Sequence, residues 1–448
     1  MSNIIDRPRF TCTLGGALGT LKALPGKVVP IIHAAPGCGG NLGYTISLSA
    51  AYAGSGYASN QAVSSTCVTE KDLIFGGEDR LEEQIESTLE IMDGDLFVVM
   101  TACMVEIVGD DVKSVVSRFS TNDKPVFALE TGGFRGDSYD GYDLLMETLV
   151  KDYVEPSQEK NKKMVNLLGV VPIMDIFWKR DLSILKELLQ EIGLEVNTFF
   201  GEFETLENLK YSSKAALNIV VSDTYGIQTA KCYEDIHRVP YITTAFPIGD
   251  GATADFLYEV GTAAGISEKT INRVIEKHRK EYYRYVEKVV DLYTDCDFQR
   301  YAAVISDANY APAVSRYLSD DIGWIPDVIV ITDQLDEGEK EKVRKRFENY
   351  KSGIAPHVFF DTDTGNVEGH LREIWPVEEE DGEYHDSFDP AFVIGSSMDR
   401  EFAERIGALH LSVSYPIANR VIINKGYAGW EGGLNMLEDL FTQLVACR

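Results

Sequence analysis

Val28-Val29-Pro30-Ile31-Ile32-His33-Ala34-Ala35-Pro36-Gly37-Cys38-Gly39-Gly40 is the stretch around which this chain of 448 residues is organised. The apolar run from Val28 to Ile32 predicts a buried strand. Pro36-Gly37 ends it and delivers Cys38 into a glycine-rich turn, where backbone can approach a bulky ligand closely. Two more cysteines share this setting. Cys12 precedes Thr13-Leu14-Gly15-Gly16-Ala17, and Cys103 follows the apolar run Leu96 to Met100 and leads into Val108-Gly109-Asp110-Asp111. Three cysteines at the ends of core segments make a candidate metal site. Zinc sites and compact ferredoxins usually carry Cys-x-x-Cys pairs, and none occurs here, so buried thiols on an apolar core are the competing reading. The shared setting favours the metal, because thiolate ligands of an iron-sulfur cluster use backbone N–H donors and closely approaching glycines. Three ligands leave a cluster incomplete, which places the missing ones on another chain.

The length exceeds one ordinary core and predicts a multidomain globular protein. Hydrophobic residues make up 44% and charged residues 25% of the chain, ordinary values for a soluble protein, and no apolar run reaches the ~20 residues of a membrane span. The N-terminus lacks the pattern of a secretory signal, and the expected location is cytoplasmic. A formal charge of -29 argues against nucleic acid or an anionic membrane as partner. Seven cysteines do not read as a disulfide framework.

Apolar segments at 28–32, 96–100 and 125–129 alternate with helical patterns at Glu78 to Ile91 and Asp111 to Phe119. This alternation predicts α/β units with mainly parallel sheets flanked by helices, and ligands beyond the carboxyl ends of the strands. The polar stretch Pro156 to Lys163 marks a boundary. A second alternation runs through 165–171, Leu182 to Ile192, 194–200, 217–221 and 239–246. Ser267 to Tyr293 carries no glycine or proline and reads as one connecting helix, with Tyr282, Tyr283 and Tyr285 packing it on a neighbouring core. A third unit has short strands at 302–305, 327–331, 357–360, 392–394 and 409–413, helices around Val314 and from Glu339 to Tyr350, an acidic loop at Glu378 to Glu383, and a final helix that starts beyond Gly429 and runs to Val445. The expected organisation is three Rossmann-like domains, 1–160 with the cysteines, 161–295, and 296–448.

Cys67, Cys232, Cys296 and Cys447 lack the setting of the other three and read as ordinary thiols, Cys67 least firmly because it sits in Ser64-Ser65-Thr66-Cys67. His33 follows an apolar run and reads first as a satisfied core group; its nearness to Cys38 also allows a supporting role behind a ligand. No Gly-x-x-x-x-Gly-Lys-Ser/Thr motif is present, so the chain does not read as an ATPase. It has neither a Gly-x-Ser-x-Gly elbow nor a His-Glu-x-x-His helix.

Taken together, Cys12 with Gly15-Gly16-Ala17, His33-x-x-x-Gly37-Cys38, Ile74-Phe75-Gly76-Gly77, Thr101 to Asp111, Gly133-Phe134-Arg135-Gly136 and Gly426 to Gly432 resemble the nitrogenase component 1 family. Their order spans almost the whole chain, and the family's three Rossmann-like domains match the organisation above. The resemblance implies that Cys12, Cys38 and Cys103 hold half of an iron-sulfur P-cluster shared with an α-type subunit in an α2β2 heterotetramer. It also implies that Phe75 lies where an Fe protein docks, and that a core phenylalanine is the alternative. At the positions matching the α subunit's cofactor ligands stand Asp223 and Ala428, neither of them a suitable ligand. With Phe246 to Gly249 and Thr253 to Leu257 this makes the chain similar to a β-type subunit, although Lys71-Asp72 and Gly133 to Gly136 are more α-like. Gly133 stands where a molybdenum-type β subunit carries a serine. The implied function is electron relay from an ATP-hydrolysing Fe protein through the cluster to the α subunit's cofactor, reducing dinitrogen. The alternatives are a nitrogenase-like reductase of another substrate, such as a methylthio-alkane, and a scaffold for cofactor assembly. Retention of the three cysteines and Phe75 favours a catalytic subunit.

Overall fold

A computed structural model of the chain describes residues 5–52, 63–121, 123–201, 203–296, 298, 300–348, 350–376 and 390–446. It contains three wholly parallel sheets in series. The first has strands β1 (Val28–His33), β2 (Ser64–Ser65), β3 (Leu96–Thr101) and β4 (Val126–Leu129) in the order β2-β1-β3-β4. The second has β5 (Asn161–Leu168), β6 (Glu195–Thr198), β7 (Ala215–Val220) and β8 (Tyr241–Thr243) in the order β6-β5-β7-β8. The third has β9 (Tyr301–Ser306), β10 (Ile325–Ile331), β11 (His357–Phe360), β12 (Phe392–Gly395) and β13 (Leu409–Ser412) in the order β11-β10-β9-β12-β13.

The central strands are continuous apolar runs because they are covered on both faces, as parallel sheets with crossover helices require. In β3 the two-residue period divides the strand: Phe97 and Val99 join Val29, Ile31, Leu81 and Ile85 on one side, while Val98 and Met100 face the main core on the other. β10 is divided likewise, with Ile329 and Ile331 toward the main core and Val328 and Val330 toward a smaller cluster. The main core is continuous through all three sheets. Among the described residues no helix is long and apolar enough to cross a membrane.

The long helix expected over Ser267 to Tyr293 is interrupted. It runs over Glu268–Val286, tightens to a 3₁₀ turn at Glu287–Val289, and resumes as a short helix at Val290–Asp295. Valines 286, 289 and 290 crowd this junction, and β-branched side chains weaken the helical preference there. Of its tyrosines only Tyr282 is buried; Tyr283 and Tyr285 are exposed, and the Tyr283 hydroxyl donates to Asp250. The helix expected at Glu339 to Tyr350 spans Glu337–Lys345. The acidic stretch Glu378 to Glu383 and Cys447 lie outside the described residues.

Buried polar side chains join the sheets. Asp143, on the helix Ser138–Asp152, accepts hydrogen bonds from the Gly226 and Thr229 amides and the Thr229 hydroxyl, at 3.1, 3.0 and 2.5 Å. The Tyr310 hydroxyl lies 3.0 Å from Asp175 Oδ1 and 2.7 Å from Asp181 Oδ2. Asp181 Oδ1 also accepts the Tyr427 and Ala428 amides, both at 2.7 Å. One hydroxyl proton serves only one carboxylate, so the other carboxyl must itself donate to the tyrosine oxygen. Burial, reinforced by mutual repulsion, pushes Asp175 well up, and burial pushes Asp181 up to about 7. The folded state thus retains a proton that the unfolded chain releases near pH 4. The pair's contribution to stability is fully present below that pH and is lost as pH rises toward about 7. Asp175→Asn supplies a permanent donor. Its unfolding free energy in urea near pH 5 should stay within about 1 kcal/mol of the parent's, and the decline toward pH 8 should be flatter.

Candidate iron-sulfur site at the first sheet

In the first sheet the chain leaves β1 on one side toward β2 and returns on the other as β3, so β1 and β3 flank a topological switch point, where a parallel sheet opens a crevice at its carboxyl edge. Residues His33 and Thr101 pair at that edge. Just beyond them begin the helices Pro36–Ser49 and Cys103–Val108, which carry Cys38 in the first turn and Cys103 at the first position. Where the sequence predicts loops or loop edges for these cysteines, all three stand at helix starts. Cys12 arrives from outside the sheet as the N-cap of Thr13–Ala23 and is bridged to Asp137 in antiparallel fashion.

Two of the cysteines, Cys12 and Cys103, meet at Gly133. The Gly133 N–H donates to Cys103 Sγ at 3.0 Å. A Cβ placed on Gly133 would stand 3.2 Å from Cys12 Cβ and 3.3 Å from Cys103 Sγ, so even a methyl group would press on both. The absence of a side chain opens the cradle. Cys38 packs with Cys12 against the main core, and burial pushes its thiol up, with the neighbouring Cys12 and Cys103 thiols adding to the effect. Cationic iron reverses that cost for a thiolate. Among the described residues no three His, Cys, Asp or Glu side chains are placed to hold a single metal ion. Three thiols on separate helix starts, a glycine cradle and an N–H aimed at sulfur fit a polynuclear iron-sulfur group. Such a group stores and passes electrons, and these residues would bind and orient it.

The turn over this cradle is held by Glu106, three residues past Cys103 and so on the same side of its short helix. Its Oε1 accepts from the Thr101 hydroxyl at 2.5 Å and the Gly132 amide at 2.6 Å, and its Oε2 pairs with Arg135 Nε at 2.7 Å. Nothing in the motif around Cys103 singles out Glu106 except its helical spacing from the cysteine. His33 is fully buried and reaches neither neighbouring cysteine by a hydrogen bond. Its Nδ1 meets the Thr66 hydroxyl at 3.1 Å and its Nε2 meets Asp110 at 3.0 Å. Burial lowers its pKa, against the opposing pull of Asp110. Asp110 also accepts the Gly77 amide at 3.0 Å, so His33 ties the Cys38 strand to the turn that follows Phe75.

Phe75 is 79% exposed at the end of the short helix Glu70–Phe75, with Ile74 and Ile107 similarly exposed. It is not a core residue. Cys232 and Cys296 are buried, and Cys67 is half-buried with a positive φ of 49°. Asp223 lies in the second sheet's crevice, paired with Arg346, and Ala428 is buried; the fold brings neither to the cysteines.

Glu106→Ala removes three partners from one turn while leaving every cysteine in place. Amide exchange at Gly132 and Gly133 should accelerate, and stability should fall by about 2 kcal/mol, measured by urea unfolding.

A family model described as nitrogenase component 1 type oxidoreductase matches residues 12–445. One of the subunits of the light-independent protochlorophyllide reductase of Adiantum capillus-veneris is 25% identical, covering 84% of this chain and 72% of its own. The nitrogenase molybdenum-iron protein alpha chain of Methanothermobacter marburgensis is 24% identical, covering 97% and 87%. The nitrogenase iron-molybdenum cofactor biosynthesis protein NifE of Methanosarcina barkeri is 26% identical over 52% of this chain and 51% of its own. A solved structure of nitrogenase Cp1 at pH 6.5 shares the fold, with a TM-score of 0.80 over 100% of this chain and 94% of that one at 18% identity. With its fold, its cysteine cradle and a family match over nearly its full length, the chain belongs to the nitrogenase component 1 type oxidoreductases.

Proposed function

We propose that the chain is the β-type subunit of a two-component reductase that relays electrons from an ATP-hydrolysing Fe protein, through an iron-sulfur cluster of the P-cluster type, to a cofactor in an α-type partner. The observation that carries this reading is the convergence of Cys12 and Cys103 on Gly133 at the switch point of the first sheet, with Cys38 near enough for both thiols to act on its own. Cys103 is exposed, as a half-set of ligands would be before a partner chain covers it. The partner supplies the remaining ligands across an interface of roughly 2,000 Å² or more, and two such pairs form an α2β2 heterotetramer.

The active-site cofactor is assigned to the partner because the two positions that match the family's cofactor ligands, Asp223 and Ala428, are not free to bind it. Asp223 is held by Arg346 Nε and Nη2 at 2.6 and 2.8 Å. Ala428 offers only a methyl group and an amide already given to Asp181. Dinitrogen is the proposed substrate. A related reductase of another substrate is the second reading, favoured by the protochlorophyllide reductase relative, and a cofactor-assembly scaffold is the third, favoured by the NifE relative. Purified complex with its Fe protein, assayed with acetylene, dinitrogen, protochlorophyllide and methylthio-ethane, separates them; a stable, iron-replete reductase made from this chain alone overturns the β-type assignment.

Cys38→Ala should reduce cluster iron and visible absorption in the complex with little change in subunit assembly; unchanged iron would remove the ligand assignment. Phe75→Ala should leave iron content and folding intact while weakening Fe protein binding about tenfold or more, the loss expected for truncating an exposed aromatic anchor.

A further inference from the structure

The chain approaches Cys12 along a strap laid over the third unit. The Asp6 amide donates to Asp363 Oδ2 at 3.0 Å, and the Arg7 carbonyl accepts the Thr364 amide at 3.3 Å and the Thr364 hydroxyl at 2.8 Å. Arg9 then turns inward and is only 3% exposed. Its Nη1 donates to the Ile305 carbonyl at 2.8 Å, and its Nη2 pairs with Asp399 Oδ1. Ile305 lies on β9 and Asp399 just beyond β12, the two strands between which the third sheet reverses its order. The guanidinium therefore fills the switch-point crevice of that sheet. The seat is closely built: Asp399 Oδ2 accepts the Ser396 amide at 2.7 Å, and a Cβ on Gly395 would fall 2.2 Å from that oxygen and 3.1 Å from the Ile305 carbonyl oxygen.

The strap then crosses to the first unit. Phe10 packs on the main core, the Thr11 amide donates to Ser138 Oγ at 3.3 Å, and Cys12 is bridged to Asp137. Three residues of extended chain reach at most about 10 Å, so the seat of Arg9 and the position of Cys12 are tied together. On the helix side of Cys12, a Cβ on Gly16 would overlap the Ser138 carbonyl, which fixes the chain there; Arg9 is the matching anchor on the other side. Cys12 has extended backbone, φ -73° and ψ 168°, and its side chain makes no capping hydrogen bond. The direction of its Sγ is thus set by a backbone held at both ends. Stability alone does not account for the buried pair, because desolvation offsets most of the attraction and Arg9 Nε is left without a partner. What a planar guanidinium gives is direction, since its fork meets a carbonyl and a carboxylate in one orientation.

We infer that Arg9 is a positioning residue for the Cys12 thiol: seated in the crevice of the third sheet, it sets the angle at which the strap delivers Cys12 to Gly133 and Cys103. A ligand of the first unit is in this way aligned by the third, which contributes no cysteine to the cradle. The inference rests on the assignment of Cys12 as a cluster ligand.

The test begins with the metal-free full chain and dibromobimane, which becomes fluorescent when it joins two close thiols; the Cys12–Cys103 adduct is identified by peptide mass. Arg9→Met should slow its formation about tenfold in folded protein, the loss expected when one of two reacting groups is displaced. Val393→Ala, a core truncation in the same sheet on the face away from the main core, is the control for lost stability and should leave the rate as in the parent. If Arg9→Met fails to fold, Arg9→Met with Asp399→Leu decides, because exchanging both members of a buried pair for apolar side chains generally preserves stability. A parent-like rate in either folded variant, equal slowing by Val393→Ala, or failure of both variants to fold, which would make the role of the pair purely structural, each overturns the inference. In the complex with its partner, Arg9→Met should also alter the visible absorption of the cluster, and an unaltered spectrum overturns the inference too. A parent complex without cluster iron would remove the ligand assignment and the inference with it, a failure distinct from an unchanged bridging rate.

Discussion

The site depends first on a helix crossing that leaves no room for a side chain. Helix Thr13–Ala23 lies against helix Ser138–Asp152 so closely that a Cβ on Gly16 would fall 1.9 Å from the Ser138 carbonyl oxygen, and one on Gly141 would fall 2.2 Å from that of Thr13. Interiors are packed to near crystal density, and such overlap is relieved only by moving backbone. The contact fixes where Cys12 ends, because the residue before the first helix is bridged to the residue before the second. From there the turn Gly133–Arg135 follows, and with it the cradle shared with Cys103. Cys12, which arrives from outside the sheet, is thus positioned by glycines that do no chemistry.

Electrostatics is the second constraint. The chain is strongly acidic, yet several of its carboxyls are turned inward and used as joints. Asp143 binds the second unit to the first through three donors, and Asp175 and Asp181 share Tyr310 between the second and third. Burying such groups is costly unless each is hydrogen-bonded or kept neutral. The joints satisfy that condition differently, Asp143 by three donors and the Asp175–Asp181 pair by keeping a proton. The continuous core that runs through all three sheets is consequently stitched by polar contacts where the units meet.

His33 and Glu106 show how support is divided around the cradle. Each makes its bonds away from the sulfur atoms, His33 to Thr66 and Asp110, Glu106 to Thr101, Gly132 and Arg135. Through Asp110 and the Gly77 amide, the first network extends to the turn behind the exposed Phe75. Cysteine cradle and exposed aromatic surface therefore rest on adjacent strand ends at the carboxyl edge of the first sheet.

Much of this was determined by sequence alone. Runs such as Leu96 to Met100 declare parallel strands because they are apolar on both faces, and Glu78–Ile91 declares its helix through apolar residues at helical spacing. Cys12, Cys38 and Cys103 were recognisable because each borders an apolar segment and glycine, a local property. The break between helices Glu268–Val286 and Val290–Asp295 was not legible, since no glycine or proline marks it. What only the tertiary structure decided are relations between residues far apart in the chain: Gly133 between Cys12 and Cys103, Glu106 on the Gly132 amide, and Asp143 on Thr229. No local signal encodes these, because they arise where the carboxyl edges of separate sheets and the ends of separate helices are brought together by packing, and sequence spacing carries no record of which edges will meet.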